Sequence, residues 1–381
     1  MSRSSDTPRI LPFRQKNRLG SHTGRPVAVI YALDSAAARS LAEECQSLHG
    51  GEVLEIPPLE WGEPREGECE SCQGFGQIRD LLLARHRSEN LPPNAPLWVV
   101  PDPKLDPWEW LGILSWEFYE ETGLFLSSAI TVIDAGNFWV NWTQDEPSDF
   151  LDPDSPSVAH RLCGQIEFAE DWVLTPSPED PALSAFLRRL NPGATLHVPA
   201  THPHALQILG LRVKSRSPGD ALELPRAAWR SPLMPSDIPQ KAPPDPKSVS
   251  LFQSRRPFHP ERLQKLLAEW PEAILRTEGT LWVASHPTTA FHMSQVGPNS
   301  FELAGEGEWL ALLPPGEIRA LRQEHPELFE TWDPQHGDRQ NELVFVWEDE
   351  EHPEFHAALA RCVLGDFELR RDWTRPETPS P

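Results

Sequence analysis

The stretch GECESCQGFGQIRDLL, residues 67–82, sets Cys69 and Cys72 just ahead of what reads as an amphipathic helix. Thiolates are soft ligands that suit Zn²⁺, and Glu68 and Glu70 stand beside them as oxygen ligands. A redox pair is the weaker reading, because neighbouring carboxylates raise thiol pKa values and redox pairs need them low. The plain alternative is a loop with two ordinary thiols, since a lone C-x₂-C pattern has low specificity.

Other reactive side chains are more scattered. His202 and His204 in THPHA are potential ligands, but histidines beside prolines are commonly surface-loop residues, and no His-rich tract accompanies them. Gly337, Asp338 and Arg339 read as a turn ahead of the strand-like ELVFVW, with Arg339 pairing a carboxylate. The 15 tryptophans belong mainly in the core, with a few at an interface. No nucleophile and base stand in an arrangement that argues for hydrolytic or transfer chemistry.

The bulk properties narrow the partners. The 57 acidic against 34 basic residues give a net charge of −23, which repels phosphate backbones and argues against nucleic acid. No apolar run reaches bilayer length, and the opening MSRSSDTPRILPFRQKNRLGSHTGR is basic and polar without the apolar centre of a signal peptide. The expectation is a soluble cytoplasmic protein with a disordered leader at residues 1–25 and no membrane partner. Five cysteines is an odd, low count, as where thiols stay reduced. The 42 prolines cluster in PRAAWRSPLMPSDIPQKAPPDPK, which reads as a linker at residues 223–247.

The elements that would position these groups alternate over the first two thirds of the chain. RPVAVIYAL is a short apolar run, followed by DSAAARSLAEECQSL with helical composition and Asp34 or Ser35 placed to cap it. The pattern recurs in PLWVVP then DPWEWLGILSWEFYEE, AITVID then RLCGQIEFAE, DWVLTP then DPALSAFLRRL, and TLHVPA then HALQILGL. Such alternation predicts an α/β fold with a mainly parallel sheet and helices on both faces. Beyond the linker, SVSLFQ, the helical HPERLQKLLAEW, several strand-like runs and the helical EFHAALARCVL predict a smaller α+β domain at residues 248–373, with a tail at 374–381.

RRPFHPERLQKLL, Trp270, LRTEGTLWVAS, SQVG, GEWLALLP and GDRQNELVFV follow in the order and spacing of the CobW C-terminal domain, particularly in members linked to zinc limitation. ITVIDAGNFW, GQIEFAEDWVL and LRRLNPGA resemble further segments of the same family, so the resemblance runs over nearly the whole chain from Pro26. The family is one of P-loop GTPases and metallochaperones. The resemblance therefore implies a P-loop-type sheet at residues 26–222, with GTP, Mg²⁺ and zinc as the family's ligands. It also places His259 and Arg276 on family positions, with Glu278 replacing a lysine.

Against that family the nucleotide motifs depart. The phosphate loop G-x-x-G-x-G-K-T aligns with Ala32, Leu33, Asp34, Ser35, Ala36, Ala37, Ala38 and Arg39. A P-loop needs glycines so that backbone N–H groups can wrap the phosphates, a lysine for the β and γ oxygens, and a hydroxyl on Mg²⁺. Here Ala38 stands for the lysine, Arg39 for the hydroxyl, and Asp34 adds negative charge. The guanine-reading N-K-x-D aligns with Thr175, Pro176, Ser177 and Pro178, and E-x-S-G-x-x-D-P aligns with VPDPKLDP, keeping Asp106 and Pro107. The family's C-x-C-C aligns with CESC, so Cys69 and Cys72 remain while Ser71 takes the middle place. The implied protein is a pseudo-GTPase without bound GTP or magnesium, acting through a client or an intact paralog in zinc homeostasis. The alternative is a working chaperone that carries zinc at Cys69 and Cys72.

Overall fold

The computed structural model describes residues 24–57, 70–87, 92, 94–148, 155–175, 180–218, 248–350 and 352–373. The expected linker at 223–247 and the tail at 374–381 lie outside the described residues, as do residues 1–23 of the leader. The chain divides into two compact units.

The first unit runs β1 (Arg25–Tyr31), α1 (Ser35–His49), β2 (Glu52–Glu55), α2 (Glu70–His86), β3 (Leu97–Val100), α3 (Trp110–Ile113), α4 (Trp116–Thr122) and β4 (Leu124–Asp134). It continues with α5 (Phe138–Trp142), α6 (Val158–Phe168), β5 (Asp171–Thr175), α7 (Pro181–Leu190), β6 (Thr195–His197) and α8 (Ala205–Ser215). The six strands lie in the order β2-β3-β1-β4-β5-β6, and every pairing is parallel. This is the expected α/β sheet. Arg25 opens β1 and so belongs to the sheet, where the sequence had placed it in the leader.

β1 is buried along its whole length, as a central parallel strand covered on both faces must be. Successive side chains alternate sides, which gives the sheet two cores. Val27, Val29 and Tyr31 join Leu97, Val99, Trp110 and Ile78 on one side, whereas Ala28 and Ile30 join Ala38, Leu41, Cys45 and Leu209 on the other. The β1–β4 register slips between Val27 and Ala28, leaving Ser127 as the extra residue, and its hydroxyl donates to the Val27 carbonyl at 3.0 Å.

The run DPWEWLGILSWEFYEE, expected as one helix, is broken. A 3₁₀ turn (Pro107–Glu109) leads into α3, Leu114 leaves helical geometry at φ −103°, ψ 48°, and Ser115 caps α4 by accepting from the Phe118 N–H. A serine hydroxyl in that place offers the backbone a new helix start. Left-handed Gly123 at φ 78° then ends α4.

The second unit runs β7 (Val249–Ser254), α9 (Pro260–Ala268), β8 (Ile274–Leu281), β9 (Thr289–Val296), β10 (Ser300–Glu308), α10 (Pro315–Glu324), β11 (Asn341–Trp347) and α11 (Pro353–Cys362). Its five strands form an antiparallel sheet in the order β10-β9-β8-β11-β7. Leu263 of α9 and Phe355 and Leu359 of α11 pack with Phe252, Met293, Phe345 and Trp347, so both helices cover one face. Glycine is required at 279, where φ is 150° and a β-carbon would fall on the Glu342 carbonyl of the neighbouring strand. Among the described residues, no helix is long and apolar enough to cross a membrane.

Candidate functional site

In an open parallel sheet the binding crevice lies beyond the carboxyl ends of the strands. At that end of β1 only Ala32, Leu33 and Asp34 stand before α1. Asp34 is in extended geometry at φ −100°, ψ 111°, and its carboxylate accepts from the Ala36 N–H at 3.0 Å. Its carbonyl accepts from Ala37 and Ala38 N–H at 3.0 and 3.4 Å. The donors at the head of α1 that would face a phosphate are therefore engaged by Asp34 itself.

The residues on either side point away from such a ligand. Ala32 and Ala38 are buried, and Ala38 packs with Leu41, Ala42 and Ile130 beneath the helix, while Ser35 and Ala37 are half-buried. Arg39 is exposed and reaches Glu55 at the end of β2, with Nε to Oε1 and Nη2 to Oε2 both at 2.6 Å. The hydrogen bond from Arg39 holds the Glu55 carboxyl below its ordinary range and raises the guanidinium in turn.

The neighbouring loops repeat the device. Asp102 accepts from Lys104 N–H and Asp106 from Trp108 N–H, each at 2.9 Å. Asp134, at the end of β4, accepts from Gly136 N–H at 2.9 Å and from the Asn137 side-chain amide at 2.6 Å. Below them Trp110 donates its indole N–H to the buried Tyr31 hydroxyl at 2.7 Å. Burial pushes the Tyr31 phenol well above its ordinary value. Burial, with help from the Asp106 charge, lifts the Glu109 carboxyl to about 7. The crevice is lined by carboxylates that cap their own loops. Of the guanine-reading positions, Thr175 ends β5 and accepts from Ala135 N–H at 3.0 Å, whereas residues 176–178 lie outside the described residues.

Cys69 also lies outside the described residues. Cys72 does not precede the helix, as the sequence suggested, but lies within α2 (Glu70–His86). The side chains of Glu70 and Cys72 lie outside the described set. Among the described residues no three His, Cys, Asp or Glu side chains are grouped to hold a metal ion. His202 and His204 are exposed, and His204 contacts Gln207 at 2.8 Å.

A buried polar network escaped the sequence reading. Asp171, fully buried at the start of β5, meets His197 Nε2 at 2.8 Å, Arg212 Nε at 3.1 Å and the Ser128 hydroxyl, which donates at 3.0 Å. Nearby, Asn191 of the LNP segment donates its amide to the carbonyls of Ile166, Glu167 and Ala169. The available signal was a charged residue opening an otherwise apolar strand, which must find partners if buried.

In the second unit Arg339 has no carboxylate partner among the described residues. It donates Nε to the His336 carbonyl at 2.9 Å and lies over the Trp282 ring at 5.2 Å, because Asp338 is already taken by the N–H groups of Leu310 and Ala311. Arg276, nearly fully buried, pairs with Glu278, so the reversed charge at 278 neutralises it locally. His259 precedes α9 without capping it by its side chain, and its ring meets Trp373 edge-on at 4.7 Å.

Residues 248–363 match the family described as the cobalamin synthesis protein cobW C-terminal domain. A Mycobacterium tuberculosis protein named a zinc chaperone is 26% identical over 79% of this chain and 74% of its own. The zinc-regulated GTPase metalloprotein activator 1 of Dictyostelium discoideum is 25% identical over 64% of this chain and 53% of its own. The solved structure of Zn(II)-bound YjiA GTPase from E. coli covers 89% of this chain at 15% identity with a TM-score of 0.32, a likeness too slight to weigh.

Proposed function

We infer that this chain, which matches the cobW C-terminal domain at residues 248–363 and resembles proteins named a zinc chaperone and a zinc-regulated GTPase metalloprotein activator, is a pseudo-GTPase of zinc homeostasis that acts through protein contacts. The observation that carries this reading is the Asp34 carboxylate on the head of α1. A phosphate bound there would have to displace an anion held by its own backbone, without a lysine, a glycine cradle or a hydroxyl for Mg²⁺. Ala38 supports the same reading, since a lysine at that position would start from within the core. The partner is an intact paralog or a client protein, and the setting is the cytoplasm.

Titration calorimetry of the full chain with Mg²⁺ and GTP tests this directly. The expected result is no binding heat; micromolar affinity overturns the reading.

The second reading, a zinc chaperone that loads Zn²⁺ at Cys69 and Cys72 and hands it to a client, draws support from the relatives' names. Two thiolates with carboxylates make a poorer platform than three thiolates, which is why it ranks second.

A further inference from the structure

The five-stranded sheet of the second unit has two edge strands, β10 and β7. An open edge turns a row of backbone N–H and C=O groups outward, and proteins guard such edges with charge, bulges or shortness. β10 is guarded by Glu302, Glu306 and Glu308 and by the irregularity between Gly305 and Gly307. In the first unit, β2 has a glutamate at each end and β6 is three residues long. β7, with the sequence VSLFQS, has no charge and no proline, and its register with β11 is unbroken.

The pairing with β11 fixes which groups of β7 face outward. The Trp347 N–H donates to the Ser248 carbonyl at 2.8 Å, and the register continues from there. In an antiparallel ladder opposite residues alternate between bonded and non-bonded pairs, so Ser250, Phe252 and Ser254 turn their peptide groups to β11 while Val249, Leu251 and Gln253 turn theirs outward. Among the described residues no backbone bond reaches these outward groups. The side chains alternate as well. Ser250 and Phe252 lie on the face covered by α11, where the Ser250 hydroxyl meets His356 Nε2 at 2.8 Å, whereas Leu251 lies on the other face and is 37% exposed. Gln253 donates to Glu342 of β11 at 2.5 Å, and Arg255, just past the strand, donates to the carbonyls of Thr331 and Gly337, so these neighbouring charges are engaged within the chain.

We propose that the outer edge of β7 docks a second copy of this chain, strand to antiparallel strand, about a twofold axis through the Leu251 pair. In that register Leu251 faces its own counterpart and Val249 faces Gln253, so each outward residue exchanges both backbone bonds with the other copy. Ser250 falls opposite Phe252 on the helix-covered face. The strand suits a copy of itself because no charge comes to stand opposite a like charge, as would happen if β10 paired with β10. The pairing joins the two five-stranded sheets into one and closes the unguarded edge.

Sedimentation of the full-length protein over a concentration series tests the proposal, at an ionic strength where exposed charges more than about 8 Å apart are largely screened. The wild type passes from one chain to two chains per particle as concentration rises. Leu251→Lys and Leu251→Glu each set like charges face to face on the axis and weaken the pairing about tenfold or more. An equimolar mixture of the two variants recovers it, because each lysine then meets a glutamate. Hydrogen exchange gives a second readout on the unaltered protein: the Val249, Leu251 and Gln253 amides slow as concentration rises, while β11 amides stay constant. A wild type that remains one chain per particle at every concentration overturns the proposal, as does pairing that survives both single variants. Protection of the three amides at every concentration without a change in mass would put a segment of the same chain on the edge, and that also overturns it.

Discussion

Arg39 lays one edge of its guanidinium side-on against the Glu55 carboxylate, Nε to Oε1 and Nη2 to Oε2 at 2.6 Å, which ties the second turn of α1 to the end of the edge strand β2. In this fold Arg39 serves as a surface brace. Its removal should therefore change Glu55 and little else. Glu55 titrates below the ordinary glutamate range in the wild type and returns towards it in Arg39→Ala. Carboxyl NMR titration reads this, and an unmoved Glu55 would show that the pair does not persist in solution. A depressed carboxyl supports stability above its unfolded pKa and loses that support as pH falls through the folded value.

Asp34 caps α1, so Asp34→Ala should cost about 1 kcal/mol of stability, with Asp34→Ser largely neutral. Urea unfolding measures both. Melting curves of the wild type with and without Mg²⁺ and GTP should superimpose. A rise of several degrees on adding nucleotide would count against a pocket closed by its own aspartate.

Glu109 sets a pH dependence of the opposite sign. Its carboxyl is lifted to about 7 by burial first and Asp106 second, so between the unfolded value near 4.5 and that point the folded state holds more protons than the unfolded state. This contribution to stability is full below the unfolded pKa and is lost as pH rises through about 7. Glu109→Gln, compared with the wild type by denaturant midpoints at pH 5 and pH 8, should remove the fall across this window. An identical fall in both proteins would assign it elsewhere, for instance to His352, whose pKa is raised by its bond to Glu354.

Asp171 is buried against His197, Arg212 and Ser128, so truncating one partner strands a charge inside the unit. His197→Ala should cost about 3 kcal/mol or more, well above an ordinary surface change. Chemical denaturation checks the size, and a loss below about 1 kcal/mol would mean that water or Arg212 takes over the contact.

For the cysteine pair, Zn²⁺ should lose to a chromogenic chelator in the wild type, and Ser71→Cys should tighten binding by supplying the third thiolate. One equivalent retained by the wild type against the chelator would favour the zinc-carrier reading over the scaffold reading.

Much of the architecture is local in origin and so was legible in the residues. The buried run RPVAVIY, the helical period that places Ala38, Leu41, Ala42 and Cys45 on one face, and the capping aspartate at 34 each depend on neighbours within a turn or two. The C-terminal domain was equally legible, because its phrases recur in order. By itself the sequence determined which strands of the parallel sheet are buried and where most helices begin. Only the tertiary structure decided where the remaining side chains went. Arg39 finds Glu55 because β2 lies beside β3 at the sheet edge, Asp171 finds His197 because β5 and β6 are parallel neighbours, and Arg339 settles on Trp282 because Asp338 is already engaged. Such pairings depend on strand order and register, which are set by how the whole core packs and are invisible to any short window of sequence.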